Sequence, residues 1–119
     1  DSGASFWLPR IVGMAKAKEI LLLPRTLPAP ECAALGLVTT VVPATEFDAA
    51  VAQLAGTLAA GPTLAYGAMR RALAYSATHT LEESLANERA LMDRTGRTAD
   101  HLAAVNAFVA KQPMVFTGS

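Results

Sequence analysis

The stretch Leu37-Val38-Thr39-Thr40-Val41-Val42-Pro43 is the one run in this chain with strand character, and it constrains everything around it. Its residues are mostly β-branched, and Gly36 and Pro43 bound it, so a short strand is predicted there. A single strand leaves its backbone N–H and C=O groups without partners and is not stable alone. Nothing else in the sequence reads as strand. The chain is therefore predicted to be mainly α, helices plus one short strand, with the strand's partner outside it. The lack of an initiator Met points the same way, to a piece of a larger protein.

The helices follow from punctuation and periodicity. Ala4 to Leu23 reads as a pair of short helices hinged at Pro9 and Gly13, because Pro interrupts the backbone ladder and Gly permits a bend. Met14, Ala17 and Leu21 share one face of the second. Pro24, Pro28 and Pro30 then stop regular structure, and a short helix from Glu31 to Leu35 is expected to end at Gly36. From Glu46 onward the pattern is helical. Phe47, Val51, Leu54 and Leu58 form an amphipathic stripe ending near Gly61, and Pro62 opens the next helix at its first position, running to about Tyr75. Thr80-Leu81-Glu82-Glu83 is a capping box, whose helix is expected to bury Leu81, Leu85 and Met92. Thr98 caps the last helix, Asp100 lies in its first turn, and Leu102, Val105, Phe108 and Val109 form its apolar stripe before Pro113.

Composition narrows the function. Hydrophobic residues make up 52% and charged residues 17% of the 119, which excludes a disordered tail. Ten basic residues balance ten acidic ones, so no field draws nucleic acid or anionic lipid. The longest apolar runs, such as Ile20 to Leu23, are far short of the roughly 20 residues of a membrane span, and the start lacks the features of a signal peptide. Cys32 is the only cysteine. A lone thiol fits a reducing, cytoplasmic compartment, and its Ala-rich surroundings suit a small packed residue better than a nucleophile. His79 and His101 are far apart, and no cluster has metal-ligand spacing. Glu82, Glu83 and Glu88 resemble a carboxylate site but are better explained by capping and a solvated helix face.

An ordered set of short motifs runs along the chain: Leu8-Pro9-Arg10-Ile11-Val12-Gly13, Ala33-Ala34-Leu35-Gly36-Leu37-Val38 with Val41-Val42-Pro43, Gly61-Pro62-Thr63-Leu64-Ala65, Leu81-Glu82-Glu83-Ser84-Leu85 with Glu88, and Ala107-Phe108-Val109-Ala110-Lys111 leading to Phe116. Each is weak alone, but in this order and at this spacing the set resembles the crotonase (enoyl-CoA hydratase/isomerase) superfamily. The resemblance implies the C-terminal part of an α/β crotonase (ClpP/crotonase) spiral fold. Residues 1–60 would close the spiral core and residues 61–119 would form a helical trimerisation domain. The oxyanion-hole amides and one catalytic carboxylate would then lie upstream of Asp1.

The same resemblance implies an acyl-CoA substrate, no cofactor beyond the coenzyme A that the substrate carries, and a homo-oligomer, trimer or hexamer. Asp1 matches a functional loop position where typical hydratases have Gly. The loop Asp-Ser-Gly-Ala-Ser followed by Phe-Trp-Leu-Pro-Arg looks more like isomerases of phenylacetyl-CoA-type substrates, and dienoyl-CoA isomerases and an aryl-CoA dehalogenase also place an Asp there. Asp1 is thus the catalytic candidate, as a proton shuttle before a nucleophile; a helix cap is the structural alternative. Phe6 and Trp7 are candidates to line an acyl pocket, or else pack the root of the first helix. Arg10 is expected in an ion pair or helix contact. Lys111 and Phe116 match positions that touch the CoA nucleotide, the alternative being a solvated tail. Here Gln112 stands where a basic residue is usual, and Pro113 follows closely. A double-bond isomerase is favoured over a hydratase, against the alternative of a non-catalytic helical oligomerisation piece.

Overall fold

A computed structural model describes residues 2–119. It contains two compact units, one running to Phe47 and the other spanning Asp48–Ser119.

In the first unit, α1 (Ala4–Val12) and α2 (Met14–Leu22) pack on each other across a turn at Gly13. Ala17, 2% exposed, is the buried residue of α2, while Met14 and Leu21 on the same stripe are exposed. The expected hinge at Pro9 does not form. Helix α1 runs through it, because the Pro9 carbonyl still accepts the Gly13 N–H at 3.0 Å and the ladder resumes downstream. The proline cluster does end regular structure. Arg25 spans it with a two-pronged contact to Glu31, Nη1 donating to Oε2 at 2.8 Å and Nη2 donating to Oε1. This pairing holds the Glu31 carboxyl below the usual glutamate range.

The short α3 (Ala29–Ala34) closes on Gly36, as expected. The Leu37 N–H donates to Cys32 O at 2.9 Å and the Gly36 N–H to Ala33 O at 3.0 Å, the paired bonds of a Schellman motif. Beyond it the predicted strand is absent. Residues 37–43 are bends and irregular chain, and no strand occurs among the described residues. β-Branched residues favour an extended backbone, but a ladder needs a second strand, and this sequence holds none. A 3₁₀ turn, Ala44–Glu46, follows.

The second unit is built from helices. Helix α4 (Phe47–Ala59) begins at the division; α5 (Thr63–Ser76), α6 (Leu81–Gly96) and α7 (Ala99–Ala110) follow. Pro62 stands at the N-cap of α5, one residue before the expected position. Helices α5 and α6 pack together, as do α6 and α7. The capping box of α6 is complete: Thr80 Oγ1 accepts the Glu83 N–H at 3.3 Å, and Glu83 Oε2 accepts the Thr80 N–H at 2.8 Å. Thr98 Oγ1 likewise caps α7, accepting the His101 N–H at 3.1 Å.

Burial departs from expectation. Leu81 is 75% exposed and Phe108 78%, and Leu85, Met92, Leu102, Val105 and Val109 are exposed too. The stripe of α4, Phe47, Val51, Leu54 and Leu58, is also exposed. The buried residues of α5 and α6 are the small Ala68 and Ser84. The expected burial of these apolar stripes is not found among the described residues. No helix among the described residues is long and apolar enough to cross a membrane.

Candidate functional site

The N-terminal candidates gather at the start of α1. Gly3 is its N-cap, with φ +83°, and its carbonyl accepts the N–H groups of Phe6 at 3.0 Å and Trp7 at 2.9 Å. A side chain at Gly3 would be strained at that φ and would place a Cβ 3.2 Å from Trp7 Cδ1. Glycine thus allows the indole to lie against the turn. Phe6 and Trp7 meet edge to face, centroids 4.9 Å apart at 84°, and Trp7 is 58% exposed. They do not pack the root of the helix as core residues. The Arg10 guanidinium lies 3.5 Å over the Phe6 ring and Nη1 donates to Phe6 O at 2.8 Å. Of the two roles expected of Arg10, the helix contact is the one found, and it holds Phe6. Asp1, the catalytic candidate, lies outside the described residues.

The C-terminal candidates belong to the second unit. Lys111 ends α7 in the left-handed region, φ +54°, and is exposed. Its own N–H donates to Phe108 O at 3.2 Å and the Gln112 N–H donates to Ala107 O at 2.9 Å, a second Schellman motif with lysine where glycine is usual. Phe116 is half-buried. With Pro62, Leu64, Ala65, Thr98 and His101 it lines a hollow of about 230 Å³. It is therefore anchored rather than part of a solvated tail.

What anchors Phe116 was not visible in the sequence. Asp100, 5% exposed, accepts the Thr117 N–H on Oδ1 at 2.7 Å, the Thr117 hydroxyl on Oδ1 at 3.1 Å and the Gly118 N–H on Oδ2 at 2.9 Å. Its own N–H donates to Ser119 O at 2.9 Å. The Thr117 N–H is the main cause that holds the Asp100 carboxyl below the usual aspartate range; burial opposes it, and Gly118 adds to it. Gly118 has φ +77°, and a Cβ there would stand 3.2 Å from Thr63 Oγ1, so only glycine fits without strain. By sequence alone Asp100 is a first-turn acid favourable to the helix dipole. Its partners lie 17 and 18 residues on, beyond any local pattern.

Other polar groups are accounted for locally. Glu83 serves the capping box, which keeps its carboxyl below the usual range through the Thr80 N–H. His79 stacks on Tyr75 with centroids 3.5 Å apart. Cys32 is half-buried, its sulfur 3.7 Å from Leu27 O. A larger apolar groove of about 430 Å³ runs between α5 and α6, lined by Ala68, Met69, Leu73, Leu91 and Met92 among others.

This arrangement of helices has close counterparts. A solved structure of an enoyl-CoA hydratase/isomerase from Mycobacterium abscessus superposes with a TM-score of 0.95 at 38% identity, covering 100% of this chain and 46% of that one. The helices are thus the C-terminal part of the crotonase fold. The family model described as enoyl-CoA hydratase/isomerase matches residues 1–119. A probable enoyl-CoA hydratase of Rhodobacter capsulatus is 37% identical over 118 residues, covering 99% of this chain and 46% of its own. A 1,2-epoxyphenylacetyl-CoA isomerase of Escherichia coli is 36% identical over 118 residues, covering 99% and 45%. The chain spans about half the length of these relatives. It belongs to the enoyl-CoA hydratase/isomerase family.

Proposed function

We propose that this chain is the C-terminal part of an acyl-CoA double-bond isomerase that accepts aryl-bearing acyl groups. The observation that carries the reading is the exposed edge-to-face pair of Phe6 and Trp7 near the start of α1, five and six residues after Asp1 in sequence. Flat side chains presented to solvent, rather than spent on a core, suit contact with an aromatic acyl group. The likeness to the epoxyphenylacetyl-CoA isomerase supports the same substrate class.

In this reading the substrate's thioester oxygen is held by backbone amides contributed from outside these residues, which stabilise the enolate. The Asp1 carboxylate removes a proton from the carbon beside the thioester carbonyl. The electron pair delocalises into a dienolate, and the proton returns at the γ carbon, shifting the double bond with no net change in composition. Lys111 and Phe116 contact the CoA nucleotide, the ammonium as a mobile charge for phosphate and the ring as a face for adenine. Coenzyme A enters with the substrate, no further cofactor takes part, and the enzyme works in the cytoplasm.

The uncovered apolar faces favour a complementary role for the second unit. Leu73, Leu81, Met92 and Phe108 are each more than two-thirds exposed, a pattern met where helices bury against another copy. In this reading the helices from Gly61 onward assemble the enzyme as a trimer or hexamer, as the family resemblance implies.

The test is turnover by the full-length protein of crotonyl-CoA beside a β,γ-unsaturated aryl acyl-CoA. Preferential migration of the double bond in the aryl substrate is expected. Efficient hydration of crotonyl-CoA without isomerisation would assign a hydratase instead.

A further inference from the structure

The Asp100 carboxylate uses both oxygens on the C-terminal segment and is almost fully buried in doing so. A helix that needed only a first-turn acid would leave that carboxylate in solvent. Here it collects two consecutive backbone N–H groups and a hydroxyl, while its own N–H holds Ser119 O. Charge-assisted bonds of this kind are short and directional, so they fix the register of residues 117–119 against the start of α7. Phe116 is the residue immediately before the clamp. It stands as one wall of the 230 Å³ hollow whose other walls come from α5, α6 and α7 and the turns before α5 and α7, among them Leu64, Thr95, Thr98 and Asp100 itself. A Cβ at Gly118, already strained at φ +77°, would stand 3.2 Å from Thr63 Oγ1, so the segment also lies close against the start of α5. Residues 117–119 are thus held at Asp100 and lie close to Thr63, directly after the aromatic residue.

We propose that Asp100 is a positioning residue for recognition of the CoA nucleotide, acting through Thr117 and Gly118 to hold Phe116 in place. The inference rests on the acyl-CoA reading above and adds to it a residue that touches neither the substrate nor the reacting carbons. Releasing the clamp frees Phe116 to leave the wall of the hollow. Affinity for the nucleotide half of the substrate then falls, while the chemistry at the acyl end, remote from this segment in sequence, is unaffected.

The experiment compares wild type, Asp100→Asn and Gly118→Ala in the full-length protein. Each is assayed with an acyl-CoA thioester and with the same acyl group on N-acetylcysteamine, which lacks the nucleotide. Asn at position 100 presents an amide N–H₂ where a second acceptor is required, and Ala at 118 dislodges the segment from the Thr63 side without touching Asp100. Both variants are expected to raise KM for the CoA thioester by about fivefold or more, with kcat within about twofold and kcat/KM for the truncated thioester unchanged. Unchanged KM for the CoA thioester in either folded variant overturns the inference, as does an equal loss with both thioesters, which marks general damage. Should Asp100→Asn fail to fold, Gly118→Ala alone decides by the same criteria. Absence of turnover of any CoA thioester by wild type instead removes the acyl-CoA reading, and the inference with it.

Discussion

Asp100 Oδ1 accepts the backbone N–H of Thr117 at 2.7 Å, joining the first turn of the last helix to the chain that leaves its far end. The bond closes a loop containing Lys111, Pro113 and Phe116, so one buried carboxylate governs the conformation of a segment that has no regular structure of its own. Replacing Asp100 with Ala leaves the Thr117 and Gly118 N–H groups without their acceptor. A melting temperature lower by roughly 5 °C is expected for the full-length protein, with faster amide exchange confined to residues 116–119. Unchanged exchange at Thr117 and Gly118 would show the segment to be held by something else.

The same carboxylate sets a pH dependence. The Asp100 carboxyl is held below its ordinary value in the fold, so the folded state binds that proton less readily than the unfolded chain. Its contribution is present in full above the unfolded aspartate value of about 3.9 and is lost as pH falls through the lower folded value. Glu31 and Glu83, also held low, act in the same direction, although their exposed settings screen the effect. Melting temperature is therefore expected to be flat from pH 7 to about 5 and to fall below about 4. Asp100→Asn should make that acid limb shallower. An identical acid limb in wild type and variant would contradict the assignment.

The capping box offers a local stability test. Thr80→Ala removes both the acceptor for the Glu83 N–H and the hydroxyl that donates to Glu83 Oε2 at 2.9 Å. A loss of about 1 kcal/mol by denaturant titration is expected. A loss well under half of that would indicate that packing, rather than the cap, fixes the start of α6.

Lys111 separates stability from binding. Its left-handed backbone, φ +54°, is a conformation that costs a non-glycine residue about 1 kcal/mol. Lys111→Gly is expected to stabilise the protein by about that amount while raising KM for a CoA thioester through loss of the ammonium. A variant that is stabilised and binds CoA thioesters as wild type does would remove Lys111 from the nucleotide site.

These cases show which features the sequence makes legible. The Thr80–Glu83 box, the Thr98 cap and the Gly36 stop were readable because each joins residues within one turn, where spacing alone determines contact. The 37–43 run misled because β-branched residues report a preference for extended backbone, whereas a strand also needs a neighbour to pair with. Leu81 and Met92 misled in a related way: a 3.6-residue period identifies the apolar face of a helix but not what covers it. The missing N–H of Pro9 suggests a break, yet a single lost bond does not end the helix. The Asp100 clamp lay beyond reach because its acceptor and donors are far apart in sequence, and Asp100 already had a sufficient local explanation.

Double-bond migration by the Asp1 carboxylate, as proposed above, is tested by kcat/KM for isomerisation of an aryl β,γ-enoyl-CoA by full-length Asp1→Asn. A fall of about 10²–10⁴-fold with an unchanged melting temperature is predicted. Wild-type rates in the folded variant would rule out Asp1 as the proton shuttle.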